Sequence, residues 1–271
     1  MAIDLAPLWD FSRPEVSEQR FVSALEKATG DDALILRTQI ARTYGLRREF
    51  DKARDVLREV EPRVAGAGAE VQVRYHLELG RTFASATHPA ALLTAEAKTQ
   101  ARQSYGRAIE LARTAKLDGL AIDAIHMAAF VDKAPTDQLK WAEAALAVSL
   151  GSQQADAKRW EASIRNNIGY ALHQLGRYDE ALAQFQQALA IRERGTSAEA
   201  TRVARWMVAW TLRSLDRDDE ALQIQLALEK AADAAGKPDP YVFEELETLY
   251  RRKNDLAKAQ QYSERKSAAR R

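Results

Sequence analysis

The stretch from Ile164 to Arg194, IRNNIGYALHQLGRYDEALAQFQQALAIRER, decides the fold. Apolar residues recur at helical spacing through its first half, until Gly176 interrupts the pattern. A second helical pattern opens at Tyr178 and places Ala181 on its apolar face. Two apolar stripes separated by a short polar turn predict an antiparallel helical hairpin.

A fixed interval identifies further copies of this hairpin. A bulky residue late in the first helix precedes a small residue early in the second by nine positions, by subtraction of residue numbers. A weaker copy pairs Ala129 with Gln138, and an interval of 18 between Phe83 and Ala101 indicates an insertion at about 84–97. The pairs that keep the interval most clearly are Tyr44 and Ala53, Leu172 and Ala181, Leu212 and Ala221, and Tyr250 and Ala259.

Composition and charge narrow the classes of partner and cofactor. The chain has 40 Lys and Arg against 39 Asp and Glu, so it lacks the basic field of a nucleic-acid binder, and no nucleic-acid partner is predicted. No apolar run reaches about 18 residues, so no membrane association is predicted. The chain starts without a secretory signal pattern, and a cytoplasmic protein is expected. Without cysteines, and without a phosphate-binding or metal-binding motif, no cofactor and no metal are predicted.

The quoted stretch resembles the tetratricopeptide repeat, and two other stretches are similar to bacterial tetratricopeptide proteins of unassigned function. The resemblance implies an all-α, right-handed superhelical solenoid of about six hairpins over residues 31–265. An N-terminal capping helix would lie within residues 1–30, and residues 266–271 would form a basic tail. The residues that carry the resemblance are Asn167-Ile168-Gly169, Leu172, Gly176, Tyr178, Ala181, Phe185 and Ala188, with Asp123-Ala-Ile-His-Met127 and Ala204-Arg-Trp206.

The start of the capping helix carries its own signal. Ser12 followed by Pro14 and Glu15 predicts a helix that begins with a capping box. That helix would bury Phe21 and Leu25 against the first hairpin, because a terminal repeat needs a closing face.

The resemblance also implies a binding site. In this family the first helix of each hairpin lines an inner groove, which suits a protein or extended peptide as partner. Trp206 and Trp210 are four residues apart and share one helix face, although either tryptophan can instead pack between repeats. The predicted groove residues are Asn166, Asn167, Tyr170, His173, Trp206, Trp210, Arg213, Asp123, Met127, Arg81 and Glu78.

Asp123 and His126 are the residues that come nearest to a catalytic arrangement. Their spacing lets the carboxylate orient the imidazole, but the sequence offers no nucleophile or metal partner. A packed, hydrogen-bonded histidine is therefore the favoured interpretation. The predicted function is binding of a protein or extended peptide without catalysis. The alternatives are a self-assembling structural module, which would form a homo-oligomer, and an enzyme built on Asp123 and His126.

Overall fold

A computed structural model describes residues 3–270, and every regular element among them is helical. Met1 and Ala2 of the expected cap, and Arg271 of the expected tail, lie outside the described residues. The chain forms two compact units, Met1–Trp160 and Glu161–Arg271.

The first unit contains the capping helix and three hairpins, α2 with α3, α4 with α5, and α6 with α7. Short 3-10 helices lie at Ala6–Leu8 and Ala90–Leu92. The α-helices are α1 Pro14–Leu25, α2 Gly30–Leu46, α3 Phe50–Val64, α4 Ala69–Phe83, α5 Ala95–Thr114, α6 Asp118–Val131, α7 Pro135–Gly151 and α8 Ala155–Lys158.

The second unit contains three further hairpins. Within each unit, consecutive helices pack on one another in sequence order. The expected all-α architecture of stacked helical hairpins is confirmed. The helices are α9 Glu161–Gln174, α10 Tyr178–Glu193, α11 Ala198–Ser214, α12 Asp218–Ala234, α13 Pro240–Arg252 and α14 Leu256–Ala269.

Backbone hydrogen bonds in the turn between α9 and α10 explain the nine-residue interval from Leu172 to Ala181. The Arg177 N–H donates to the carbonyl oxygen of Leu172 at 2.9 Å, and the Ala181 N–H donates to the carbonyl oxygen of Arg177 at 3.0 Å. The first bond closes the end of α9, and the second begins the ladder of α10. Gly176 adopts a φ of +74°, which this helix ending requires. Two local hydrogen bonds therefore fix the distance along the chain between Leu172 and Ala181.

The same pair of bonds recurs in three other hairpins, at 2.9–3.1 Å. In each, the small residue is at most 1% exposed, as expected for the point where the two helices approach. The left-handed position is occupied there by a non-glycine residue. Each set gives, in order, the bulky residue, the left-handed residue, the residue that takes part in both hydrogen bonds, and the small residue. The sets are Tyr44, Arg48, Glu49 and Ala53; Leu212, Asp216, Arg217 and Ala221; and Tyr250, Asn254, Asp255 and Ala259.

Two glycines allow close approach between the helices of a hairpin. A Cβ atom on Gly169 of α9 would lie 2.8 Å from the Phe185 ring on α10. A Cβ atom on Gly80 of α4 would lie 2.5 Å from the Tyr105 ring on α5. The aromatic rings therefore occupy the space that a side chain would take.

Helix α1 covers the first hairpin and begins at Pro14, but its N-terminal cap differs from the predicted one. Phe21 is fully buried against Leu36 and Ile40 of α2. The N-cap residue is Arg13, and no side chain caps this helix end. The predicted capping box is wrong, because the Ser12 hydroxyl instead donates to Asp10 Oδ1 at 2.6 Å.

The insertion after α4 is an ordered loop of residues 84–94. Its His88 is 9% exposed and stacks on Phe50 with a ring centroid distance of 3.7 Å. His88 Nδ1 accepts from the Ser85 N–H at 3.1 Å, which fixes the loop close to the end of α4. Helix α4 ends at Phe83, so this loop lies within the insertion expected at about 84–97.

Candidate functional site

Four predicted site residues of the second unit form an aromatic ladder, which consists of Tyr170, His173, Trp206 and Trp210. The Trp210 ring stacks on His173 at a centroid distance of 3.4 Å, on Trp206 at 5.9 Å and on Tyr170 at 6.1 Å. Tyr170 and His173 come from α9, and the two tryptophans come from successive turns of α11. Tyr170 is 45% exposed and Trp210 is partly exposed, so the ladder presents aromatic surface to solvent.

The two tryptophans of the ladder have different surroundings. Trp206 packs against the core that α12, α13 and α14 form around Leu228 and Phe243. Trp206 Nε1 is buried and finds no hydrogen-bond partner among the described residues. Trp206 therefore packs against a neighbouring hairpin, although its side chain is partly exposed like that of Trp210, and Tyr170 is the most exposed member of the ladder.

The Arg213 side chain forms an ion pair with a residue of a neighbouring helix. Its Nε and Nη2 donate to the two carboxylate oxygens of Glu245 on α13 at 2.7 and 2.9 Å. Glu245 is 5% exposed, and this forked geometry suits a guanidinium and a carboxylate. The predicted groove residue Arg213 thus joins two successive first helices.

His173 is a neutral member of the ladder. Its Nε2 lies 2.9 Å from Ser214 Oγ. Burial, together with the positive charge of Arg213, lowers the pKa of His173 to about 4. The imidazole is therefore uncharged at neutral pH, which favours its stacking on Trp210.

Asn166 and Asn167 precede Tyr170 by four and three residues on α9. This spacing places both amides within one turn of the exposed tyrosine. Both side chains are half-buried. Within the described residues, the Asn166 amide forms no hydrogen bond, so its donor and acceptor are available.

Predicted site residues of the first unit belong to a buried ion cluster, which consists of Arg42, Glu78, Arg81 and Asp123. Arg81 Nη1 lies 2.5 Å from Glu78 Oε1, and Arg81 Nη2 lies 2.5 Å from Asp123 Oδ1. Arg42 Nη1 is farther away, at 4.0 Å from Glu78 Oε1 and 3.9 Å from Asp123 Oδ2. The cluster joins α2, α4 and α6. Glu78 and Asp123 are buried with Met127, so these three residues do not form an open groove surface.

Burial and charge act in opposite directions on Asp123. Burial acts to raise the pKa of this carboxyl, but the charges of Arg81 and then Arg42 outweigh it and hold that pKa below its usual range. Asp123 is therefore ionised at neutral pH. Its short contact is with Arg81, a cation that the sequence analysis did not pair with it.

A cavity of about 280 Å³ adjoins the buried ion cluster. The Asp123 side of the wall is polar, and Met127 and Phe130 of α6 supply apolar surface. Trp160 and residues 85–87 of the loop after α4 complete the wall. Phe130 and Trp160 were not among the predicted site residues, because neither lies on a predicted groove position. The loop residues could have been suspected from the insertion at about 84–97.

His126 also lines this cavity, and it is half-buried. Its ring contacts Phe130 edge to face at a centroid distance of 5.0 Å and lies 5.6 Å from the Trp160 ring. Burial lowers the pKa of His126, and Asp123 opposes this only in part. The favoured interpretation of a packed histidine is consistent with these ring contacts.

Among residues 3–270, no helix is both long and apolar enough to cross a membrane. No group of three or more His, Asp or Glu side chains in the same residues is arranged to hold a metal ion.

Hairpins that repeat one turn and one close contact define a helical-repeat protein. The tetratricopeptide-repeat family model matches residues 160–234, the region that contains the aromatic ladder. This match agrees with the implied resemblance over these residues, and the solved structures that are similar to the chain share its helical-repeat fold. No curated protein matches the chain in sequence.

Solved structures share this fold at low sequence identity. The apo form of RapI is similar with a TM-score of 0.61 at 12% identity, over 88% of this chain and 97% of that one. A putative kinesin light chain from Podospora anserina, with nearly identical TPR-like repeats, is similar with a TM-score of 0.56 at 14% identity, over 78% of this chain and 100% of that one. The apo form of the quorum sensor NprR from B. thuringiensis is similar with a TM-score of 0.52 at 12% identity, over 97% of this chain and 83% of that one. These likenesses establish the fold alone.

Proposed function

We propose that the chain binds an extended peptide segment of a partner protein, without catalysis, on the surface that α9 and α11 form around Tyr170 and Trp210. The observation that carries the proposal is the partly exposed aromatic ladder beside the Asn166 and Asn167 amides. Aromatic side chains are the usual anchors of protein interfaces, because they bury a large area on few rotatable bonds.

The ladder is suited to binding because it is already ordered. Trp210 is held between His173 and Trp206, and Trp206 is itself held by the core of the last hairpins. Little side-chain entropy is therefore lost when a ligand covers Trp210. Val203, which is 42% exposed, precedes Trp206 by three residues and extends the apolar strip along α11.

Asn166 supplies what an extended backbone needs. Its amide offers a carbonyl acceptor and an NH2 donor, which match the N–H and C=O groups of a peptide. Support for a binding role also comes from the family, since tetratricopeptide repeats serve protein interaction and one protein of similar fold is a quorum sensor. The first-unit residues of the predicted groove, Asp123, Met127, Arg81 and Glu78, are not part of this peptide surface.

The test is selection of peptides on the full-length chain by phage display, followed by affinity measurements on variants. Tyr170→Ala and Asn166→Ala should each weaken a selected peptide, the tyrosine by about 30-fold if it is an anchor worth about 2 kcal/mol. Tyr241→Ala is the matched control, because Tyr241 is 64% exposed at the start of α13 and outside the ladder. All three variants should keep the wild-type melting temperature.

Two results would contradict the proposal. One is that selection yields no peptide that binds the wild-type chain. The other is that selected peptides bind the Tyr170 and Tyr241 variants equally well.

A further inference from the structure

The cavity of the first unit is a candidate for a second, separate binding site. Its polar wall is the buried ion cluster, and its apolar wall includes Met127, Phe130 and Trp160. A volume of about 280 Å³ is near the lower end for small-molecule sites, and it matches a single amino acid better than a longer chain.

Within the ion cluster, the two arginines are not equivalent. Arg81 is already paired with both carboxylates, since it makes 2.5 Å contacts with Glu78 and Asp123. Arg42 donates no hydrogen bond to any described residue, and its side chain is 23% exposed. Its guanidinium carbon lies 5.3 and 5.4 Å from the ring centroids of Trp9 and Phe11, which hold it in place through cation–π contacts. Arg42 is thus an ordered cation whose N–H donors remain available at the cavity wall.

An acceptor lies beside this donor. Arg81 engages Asp123 through Oδ1, and Asp123 Oδ2 remains 3.9 Å from Arg42 Nη1, beyond hydrogen-bond distance. Arg42 and Asp123 Oδ2 therefore form a neighbouring pair of opposite charge in which neither group satisfies the other. A ligand that carries both signs of charge close together would satisfy both.

The charge balance of the cluster selects between ligand classes. Two arginines and two carboxylates sum to zero. An added anion or cation would leave a net charge beside a partly apolar, desolvated space, which is costly. A zwitterion adds no net charge and forms two charge-assisted hydrogen bonds.

We propose that this cavity binds a free α-amino acid with an apolar side chain. The α-carboxylate lies on Arg42, whose planar N–H groups suit two carboxylate oxygens. The α-ammonium donates to Asp123 Oδ2. The side chain packs against Phe130 and Trp160. Loop residues 85–87 also line the cavity, which gives the insertion after α4 a role in the site.

The test uses calorimetry on the full-length chain with three probes: L-phenylalanine, 3-phenylpropanoate, which lacks the ammonium, and phenethylamine, which lacks the carboxylate. L-phenylalanine should bind at least about tenfold more tightly than either analogue, because each analogue loses one charge-assisted hydrogen bond. L-leucine should also bind, since burial against Met127, Phe130 and Trp160 requires an apolar side chain but not an aromatic one.

Two substitutions test whether L-phenylalanine binds in this cavity. Arg42→Met should weaken L-phenylalanine by about tenfold or more. Arg37→Met is its matched control on α2, because Arg37 pairs with Glu59 and lies outside the cavity lining. Phe130→Ala changes a residue that is 39% exposed, so it tests the apolar wall even if Arg42→Met fails to fold.

Several outcomes would overturn the proposal. They are no binding of L-phenylalanine or L-leucine up to about 10 mM, equal binding of L-phenylalanine and both analogues, or an affinity for L-phenylalanine that folded Arg42→Met and Phe130→Ala both leave unchanged. Peptide binding at α9 and α11 is measured separately, so failure of one site does not decide the other.

Discussion

Replacing Gly80 with alanine tests the close approach of α4 and α5. An added Cβ atom would lie 2.5 Å from Tyr105 Cε1 and 2.7 Å from Cδ1. The ring cannot move away easily, because Tyr105 is fully buried and its hydroxyl donates to the Ala84 carbonyl at 2.6 Å. The methyl group must therefore displace the helices from one another.

The expected magnitude is the difference of two effects. Glycine to alanine in a helix interior gains about 0.5–1 kcal/mol from backbone entropy. Overpacking of a filled core costs about 1–3 kcal/mol. Because Tyr105 is buried and hydrogen-bonded, we place the steric cost of Gly80→Ala in the upper half of that range, so the variant should be destabilised by about 1–2.5 kcal/mol.

The matched control is Gly106→Ala on α5. An added Cβ atom there meets no atom within 4 Å, so only the entropic gain applies, and stability should rise by about 0.5–1 kcal/mol. The assay is urea unfolding followed by circular dichroism on both full-length variants. In a Tyr105→Leu background the methyl group gains room, and Gly80→Ala should lose most of its cost.

The reasoning is refuted if Gly80→Ala is as stable as Gly106→Ala. It is also refuted if the cost of Gly80→Ala is the same with leucine at position 105, because the ring would then not be its source.

Two further predictions concern the turns and the aromatic ladder. Arg48→Gly should raise the unfolding free energy by about 0.5–1 kcal/mol, because Arg48 is exposed with a φ of +64° that glycine adopts without strain; an unchanged urea midpoint would contradict this. For His173, the pKa of about 4 in the folded chain lies below its ordinary value of 6.5, so the unfolded chain takes up the proton first as pH falls. The contribution of His173 should be complete above pH 6.5 and be lost as pH falls toward about 4. Melting temperatures of wild type and His173→Gln across this window check it, and parallel pH profiles would contradict it.

Much of the fold was predictable because its decisive feature is local. The interval from Leu172 to Ala181 is set by two hydrogen bonds through Arg177, all within one turn of chain. Such a pattern repeats in the sequence wherever the turn repeats, so the hairpins could be counted without coordinates. The capping box that was wrongly predicted at Ser12 is also a local feature, but the Ser12 hydroxyl hydrogen-bonds to Asp10 instead.

The accessibility of the site residues was not predictable in this way. Trp206 and Trp210 are the same residue type, on the same helix and four positions apart. Trp206 packs against the core of the last hairpins and buries its Nε1, whereas Trp210 stacks on Tyr170 and His173 of α9.

The sequence by itself determined the helices, their pairing and the turn that joins them, since each depends on residues close together in the chain. The tertiary structure decided which predicted groove residues are buried and which are exposed. Asp123 on α6 contacts Arg81 on α4 and lies near Arg42 on α2 only because the first helices of three successive hairpins stack on one another. Burial and charge pairing depend on groups brought together from distant parts of the chain, and helical spacing within one segment does not encode those neighbours.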